Sequence, residues 1–212
     1  MEIKIEPFIS YTRSSNVYII LNEKELLVVD AGLPEFTHSI LPSLKSLPKV
    51  SRVYLVFTHC HYDHVLGYRV FKSYFKNVET YAHELDAEDI RMATIKTYSM
   101  FFGAREGVPV DHVVKEGEKI DFGSTYARVL HTPGHTEGSI TLVIDRKAFV
   151  GDLIFNRSYG RYDLISGDPK ELKRSILRLS SMDLEVIYPG HESIIKSPKE
   201  NFKIVLSLLE EI

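Results

Sequence analysis

The sequence predicts an α/β chain built as an αβ/βα sandwich: two mixed β-layers packed face to face, with helices outside. Three observations carry this. Apolar, β-branched runs come in two groups, one ending at residue 57 and one spanning residues 112–151. Each group is followed by stretches whose apolar residues recur at helical spacing. No Gly/Ser/Pro-rich linker or short repeat interrupts the 212 residues, which read as one domain over 1–212 with ordinary globular composition, 44% apolar and 26% charged.

In chain order, Ile3 and Ile5 alternate with charge, and Val17–Leu21 and Leu26–Val29 flank a polar turn as a buried hairpin. Asp30 ends its second strand. Pro34 opens a helix to about Leu47, which Pro42 is expected to kink or shorten. Val53–Phe57 reads as a buried strand, residues 63–75 as a helix opened by Asp63, and residues 78–81 as a short strand. A long helix then runs from His83 to about Phe102. Gly103–Pro109 follows as a loop and candidate lid. Tyr98, Phe101 and Phe102 are read first as core, second as lining of the mouth of a site.

His112–Val114 and the charged turn Lys115–Lys119 read as a solvated hairpin. Residues 125–131 and 139–151 are strands, the latter broken by the turn Asp145-Arg146-Lys147. Asp168-Pro169-Lys170-Glu171 and Ser197-Pro198-Lys199-Glu200 both pair a capping residue with proline and a glutamate three positions on. Each opens a helix, the second running to the chain end.

The chemistry is concentrated in Thr58-His59-Cys60-His61-Tyr62-Asp63-His64. Three imidazoles and a carboxylate fall within six residues, directly after the strand Val53–Phe57. In an extended segment His59 and His61 face one side, and a turn into a helix at Asp63 re-aims Asp63 and His64 toward a second point. An isolated histidine is usually structural, but this density is not explained by caps or surface residues. Further candidates lie beyond other strand ends: His135 in Thr132-Pro133-Gly134-His135, Asp152 after Gly151, and His191 after Pro189-Gly190. Cys60, the single cysteine, points away from this cluster and reads as packing; one cysteine excludes an internal disulfide.

These motifs, with Asp30 in Val29-Asp30-Ala31-Gly32, span roughly residues 28–192 and resemble the metallo-β-lactamase fold superfamily, above all its glyoxalase II (hydroxyacylglutathione hydrolase) type. The resemblance implies that His59, His61 and His135 hold one divalent metal and that Asp63, His64 and His191 hold another. Asp152 and a hydroxide would bridge the two. Asp30 would support the metal loop without being a ligand. Zinc is the first expectation for the two ions, iron or manganese the alternatives; nitrogen and oxygen donors suit all three. Asp63 would orient the nucleophile, and Arg161 and Tyr159, in Ser158–Asp163, would contact substrate. A structural Arg161–Asp163 pair is the competing reading of that arginine.

The implied activity is hydrolysis of a small thioester or ester. Two other activities stay open: a mononuclear-iron persulfide dioxygenase, which shares much of the ligand pattern, and a lactonase. Glyoxalase II proper continues into a glutathione-binding helical segment, whereas 21 residues follow His191 here. The net charge of −3 gives no sign of a nucleic-acid partner, no apolar run reaches the ~18 residues of a membrane span, and the N-terminus lacks a signal core, so the expected setting is cytoplasmic. Nothing in the sequence fixes an oligomeric state.

Overall fold

A computed structural model describes residues 3–45, 47 and 49–209. Six strands form the first sheet in sequential order: β1 (Lys4–Phe8), β2 (Val17–Asn22), β3 (Glu25–Val29), β4 (Arg52–Val56), β5 (Val78–His83) and β6 (His112–Val114). The first three pair antiparallel and β3 to β6 run parallel. The second sheet contains β7 (Lys119–Phe122), β8 (Thr125–His131), β9 (Ile140–Ile144), β10 (Lys147–Gly151) and β13 (Val186–Pro189), with β13 parallel to β10 at its edge. A small ribbon of β11 (Ile154–Phe155) and β12 (Ser158–Tyr159) follows β10.

Residue parity explains the layering. Strand side chains alternate between faces, so a run apolar at every position must be buried on both sides. In β2, Val17 and Ile19 join the cluster under the helices, whereas Tyr18 and Ile20 join the cluster between the sheets. In β4, Val53 and Leu55 face the first cluster and Tyr54 and Val56 the second. β10 does the same in the other sheet: Phe149 points between the sheets, and Ala148 and Val150 toward a third cluster. Leu172, Ile176 and Leu179 of α5 (Pro169–Ser180), with Phe202 and Val205 of α6 (Pro198–Leu208), close that third cluster. The layer order is helix, sheet, sheet, helix, as the sequence predicts.

Several boundaries differ from expectation. α1 (Pro34–Leu44) contains Pro42 and ends two residues later. The helix expected over 63–75 is two pieces, α2 (Tyr62–Val65) and α3 (Tyr68–Tyr74), and the residue flanking α2 is His61, not Asp63. The break falls at Gly67, where a Cβ would sit 2.1 Å from the Ala31 carbonyl oxygen; the chain must lie flat against the loop after β3. α4 (Glu84–Met92) stops ten residues short of Phe102. Ala93 turns left-handed at φ 50°, and two 3-10 turns, Ile95–Thr97 and Ser99–Phe102, replace the expected helix. Side chains fix that reversal: the Thr94 hydroxyl bonds Asp89 Oδ1 at 2.5 Å and the Thr97 hydroxyl donates to the Thr94 carbonyl at 2.7 Å.

The hairpin expected around Lys115–Lys119 is instead a crossing between layers, since β6 belongs to the first sheet and β7 to the second. Asp168 caps α5 by accepting from the amides of Lys170 and Glu171 at 2.7 and 3.0 Å, but Ser197 makes no such bond at α6. The expected run of α6 through residues 210–212 lies outside the described residues. No helix among the described residues is long and apolar enough to cross a membrane.

Candidate metal centre

The loops that leave β3, β4, β8, β10 and β13 gather at one end of the sandwich. Short backbone bonds stitch them together: Ala31 N–H to His64 O at 2.6 Å, Ser15 N–H to Asp63 O at 3.1 Å, Ile140 N–H to Thr58 O at 2.9 Å and Gly190 N–H to Gly151 O at 2.7 Å. Gly190 is obligatory there, because a Cβ would lie 2.2 Å from Asp152 Oδ1 and 2.7 Å from His64 Cε1.

Into this frame point the seven residues singled out from sequence. Three sets have ligand atoms within 4.8 Å of one another and are able to hold a metal ion: His59, His61 and His135; His59, His64 and Asp152; and Asp63, His64 and His191. His61 Nδ1 is 3.1 Å from His59 Nε2 and 2.9 Å from His135 Nε2. His191 Nε2 is 3.1 Å from Asp63 Oδ2 and 3.3 Å from His64 Nε2. Asp152 lies between the groups, with its carboxylate 3.4 Å from His64, 3.7 Å from His135 and 3.6 Å from His191.

The outer nitrogens of His59, His64 and His135 are committed, which decides what the inner ones present. His64 Nδ1–H donates to Asp30 Oδ2 at 2.8 Å. His59 Nδ1–H donates to Thr58 Oγ1 at 3.1 Å, and that hydroxyl passes the bond on to Asp30 Oδ2 at 2.9 Å. Asp30 Oδ1 accepts the Thr58 amide at 2.8 Å. One carboxylate thus orients a histidine of each outer set, as the sequence reading expects of Asp30. His135 Nδ1–H donates to the Arg161 carbonyl at 2.7 Å. These three rings are held with Nε2 facing inward, and His61 turns its Nδ1 inward instead; in both cases a ring nitrogen is aimed at the cluster, as metal-binding imidazoles require.

Buried lone pairs facing one another are unfavourable unless a cation sits between them. Among the described residues, Asp152 Oδ1 is buried without a hydrogen-bond partner, and His61 Nδ1 faces the Nε2 atoms of His59 and His135 at 3.1 and 2.9 Å. Electrostatics agrees. Burial, reinforced by neighbouring imidazoles, lowers His59 well below the usual histidine range and His61 to about 3. At His64 burial pulls the same way, but Asp30, Asp152 and Asp63 outweigh it and raise its pKa. Asp63 and Asp152 stay ionised: burial opposes the charge, and His64 and His191 overcome it. Burial keeps His59, His61 and His135 neutral, while the ionised carboxylates Asp63 and Asp152 outweigh burial to raise His64 and His191, a donor set that fits divalent cations.

Two supporting residues escaped the sequence reading. Asp86 on α4 is buried and accepts from the Cys60 amide at 2.8 Å, the Thr136 hydroxyl at 2.7 Å and the Gly138 amide at 2.9 Å. It clamps the His59–His61 loop to the His135 loop. The signal was an acid one turn before Ile90 on a helix face otherwise apolar. Asn16 donates to the carbonyls of Pro189 and Glu192, both at 3.0 Å, and braces the backbone on either side of His191.

The other candidates are placed as follows. Cys60 is buried with Sγ toward the Lys96 carbonyl, away from the cluster. Two histidines outside the candidate set, His83 and His131, stack on each other at 4.1 Å, with His83 capping α4, and neither joins the cluster. Arg161 reaches the pocket wall, but its guanidinium forks onto Asp163 at 2.9 and 2.8 Å. Tyr159 stacks on Tyr162 and packs against the third core cluster rather than lining the pocket. Tyr98, Phe101 and Phe102 do line it; Phe101 is 74% exposed, so its first reading as core is corrected, whereas Phe102 also packs against the first core cluster. The cavity over the histidines is about 500 Å³, with Phe155 and Leu164 on the opposite wall.

The sequence pattern of the metallo-beta-lactamase superfamily matches residues 11–191. The chain belongs to that superfamily. A probable metallo-hydrolase of Methanocaldococcus jannaschii is 29% identical over 188 residues, covering 87% of this chain and 90% of its own length. A hydroxyacylglutathione hydrolase of Aeromonas hydrophila is 29% identical over 177 residues, covering 83% of this chain but 60% of that enzyme. Among solved structures, a protein crystallised in a di-iron-bound form is 27% identical with a TM-score of 0.75, over 92% of this chain and 96% of that one.

Proposed function

We propose that the chain is a hydrolase of a small thioester or ester that works with two divalent metal ions, in the manner of glyoxalase II. The observation that carries this is the position of Asp152, whose Oδ1 lies 3.4 Å from His64 and whose Oδ2 lies 3.7 Å from His135 and 3.6 Å from His191, so that one carboxylate reaches both histidine groups. A carboxylate so placed suits a bridge between two cations. His59, His61 and His135 would hold the first ion, and Asp63, His64 and His191 the second. Zinc, iron and manganese all suit this donor set. When bound, such a pair supplies hydroxide at neutral pH and polarises the scissile carbonyl.

The chain's own residues do the rest. Asp63, ionised and 3.1 Å from His191, lies on the pocket wall where it can accept a proton from a water and orient it. Asp30 and the Arg161 carbonyl keep His59, His64 and His135 in the tautomer that faces inward. Tyr98, Phe101 and Phe102 wall off one side of the cavity, where the acyl group would pack and water would be excluded. Arg161 serves through its backbone, because its guanidinium is held by Asp163. A thiolate leaves without a strong general acid, so a thioester makes the smaller demand on these residues.

Release of free thiol from S-lactoylglutathione by the metal-loaded protein tests the reading. Turnover that drops at least about 100-fold in Asp63→Ala supports it. Equal rates in both proteins, or oxygen uptake on glutathione persulfide with one iron per chain, would replace hydrolysis with another chemistry.

A further inference from the structure

A second groove, of about 550 Å³, lies against the metal pocket and shares the Phe101–Phe102 wall with it. Leu33, Pro34 and Leu66 supply apolar lining. Its rim carries three arginines from three separate parts of the chain: Arg13 from the β1–β2 connection, Arg69 from α3 and Arg105 from the loop after the second 3-10 turn. Two acids, Glu35 and Glu106, stand among them. Glu106 is taken by Arg69, at 2.5 Å. Arg13 and Arg105 form no ion pair among the described residues, and neither does Glu35.

Exposed arginines are ordinarily just solvated. Three features set these apart. The Arg13 guanidinium lies over the Phe102 ring, 5.5 Å from its centre, which places it beside the shared wall. The three arginines outnumber the two acids, and with Arg69 and Glu106 paired the groove sets Arg13 and Arg105 against Glu35 alone, an excess of positive charge that favours an anion. And the metal pocket's own arginine, Arg161, is already satisfied by Asp163. Beyond Phe102 a substrate with an anionic end meets two guanidinium groups, Arg13 and Arg105, with no ion-pair partner among the described residues.

We propose that this groove is the anion subsite of the same active site, taking a carboxylate- or phosphate-bearing tail while the scissile carbonyl lies over the histidines. This rests on the hydrolase reading above. Planar guanidinium forks match both oxyanions, and the apolar lining would carry the methylenes between.

Matched acetyl thioesters of 4-mercaptobutyrate, 2-mercaptoethyl phosphate and the neutral 4-mercaptobutyramide separate the sources of charge. The metal-loaded enzyme is expected to show a KM at least about fivefold lower for one or both anionic esters, with the lower of the two naming the tail. Arg13→Ala combined with Arg105→Ala should remove that preference through KM, leaving kcat on the neutral ester within about twofold, and Arg13→Glu with Arg105→Glu should invert it. Equal KM values in the wild type, or a preference that survives the double substitution, would overturn the proposal. Binding of the corresponding S-methyl thioethers, which cannot be cleaved, is measured in parallel by calorimetry. If no thioester is hydrolysed, the reaction assignment falls. The subsite then stands only if the charged thioether binds more tightly than the neutral one and the double variant loses that difference.

Discussion

The floor of the site and its mouth are built on opposite principles. On the floor, from Thr58 to His64, nearly every polar group is held by a buried partner: Asp30 takes the Thr58 amide, the Thr58 hydroxyl and His64, while Asp86 takes the Cys60 amide. At the mouth, from Tyr98 to Glu106, the chain runs through 3-10 turns and leaves Met100 82% and Phe101 74% exposed. The difference teaches where each property resides. Ligand geometry must be fixed to a few tenths of an ångström and is over-determined, whereas the mouth sets which molecules enter and tolerates change.

Substitutions should divide along that line. The largest effect is expected at Asp152→Ala, which removes the carboxylate between both ligand groups. Metal content and turnover should fall by more than the ~100-fold seen for changes one shell further out. Asp86→Ala comes next. It orphans the buried amides of Cys60 and Gly138, at about 1–3 kcal/mol each, and should weaken metal affinity about 10- to 100-fold. Denaturant unfolding and chelator competition read the two separately. Phe101→Ala should change stability by less than about 0.5 kcal/mol, as exposed positions do, while raising KM several-fold. A metal defect in Phe101→Ala, or none in Asp86→Ala, would dissolve the contrast.

The smallest expected effect is a pH dependence at the rear of the floor. Burial and the stacked His131 lower the His83 pKa to about 4. A histidine kept neutral in the fold contributes stability that is complete above the unfolded value of about 6.5 and is lost as pH falls toward 4. Because His83 caps the helix that carries Asp86, unfolding free energy should drop across that window. His83→Asn, which retains a capping side chain, should flatten the slope. Denaturation series at several pH values between about 4 and 7 measure it.

The same division governs what the amino-acid order discloses. The floor was readable because its chemistry is local: His-x-His-x-Asp-His after an apolar strand carries its own geometry, and the glycines before Asp152 and His191 mark close approach. Layering was readable from strand runs apolar at every position. Asp86 and Asn16 were not, since their roles arise from partners 50 and 173 residues away. The mouth was misread for a different reason. Helical spacing continues past Met92, and what ends α4 is a set of side-chain bonds around Thr94 and Thr97 that periodicity does not register. Lys115–Lys119 looks the same whether its flanking strands pair or cross between sheets, and only the second sheet's register decides.

Metal content of the protein purified without added salts tests the central claim most directly. With Asp152 facing both ligand groups, about two divalent ions per chain are expected, falling together in Asp152→Ala. A chain that takes up none after reconstitution, or that binds a single ion unaffected by loss of Asp152, would contradict it.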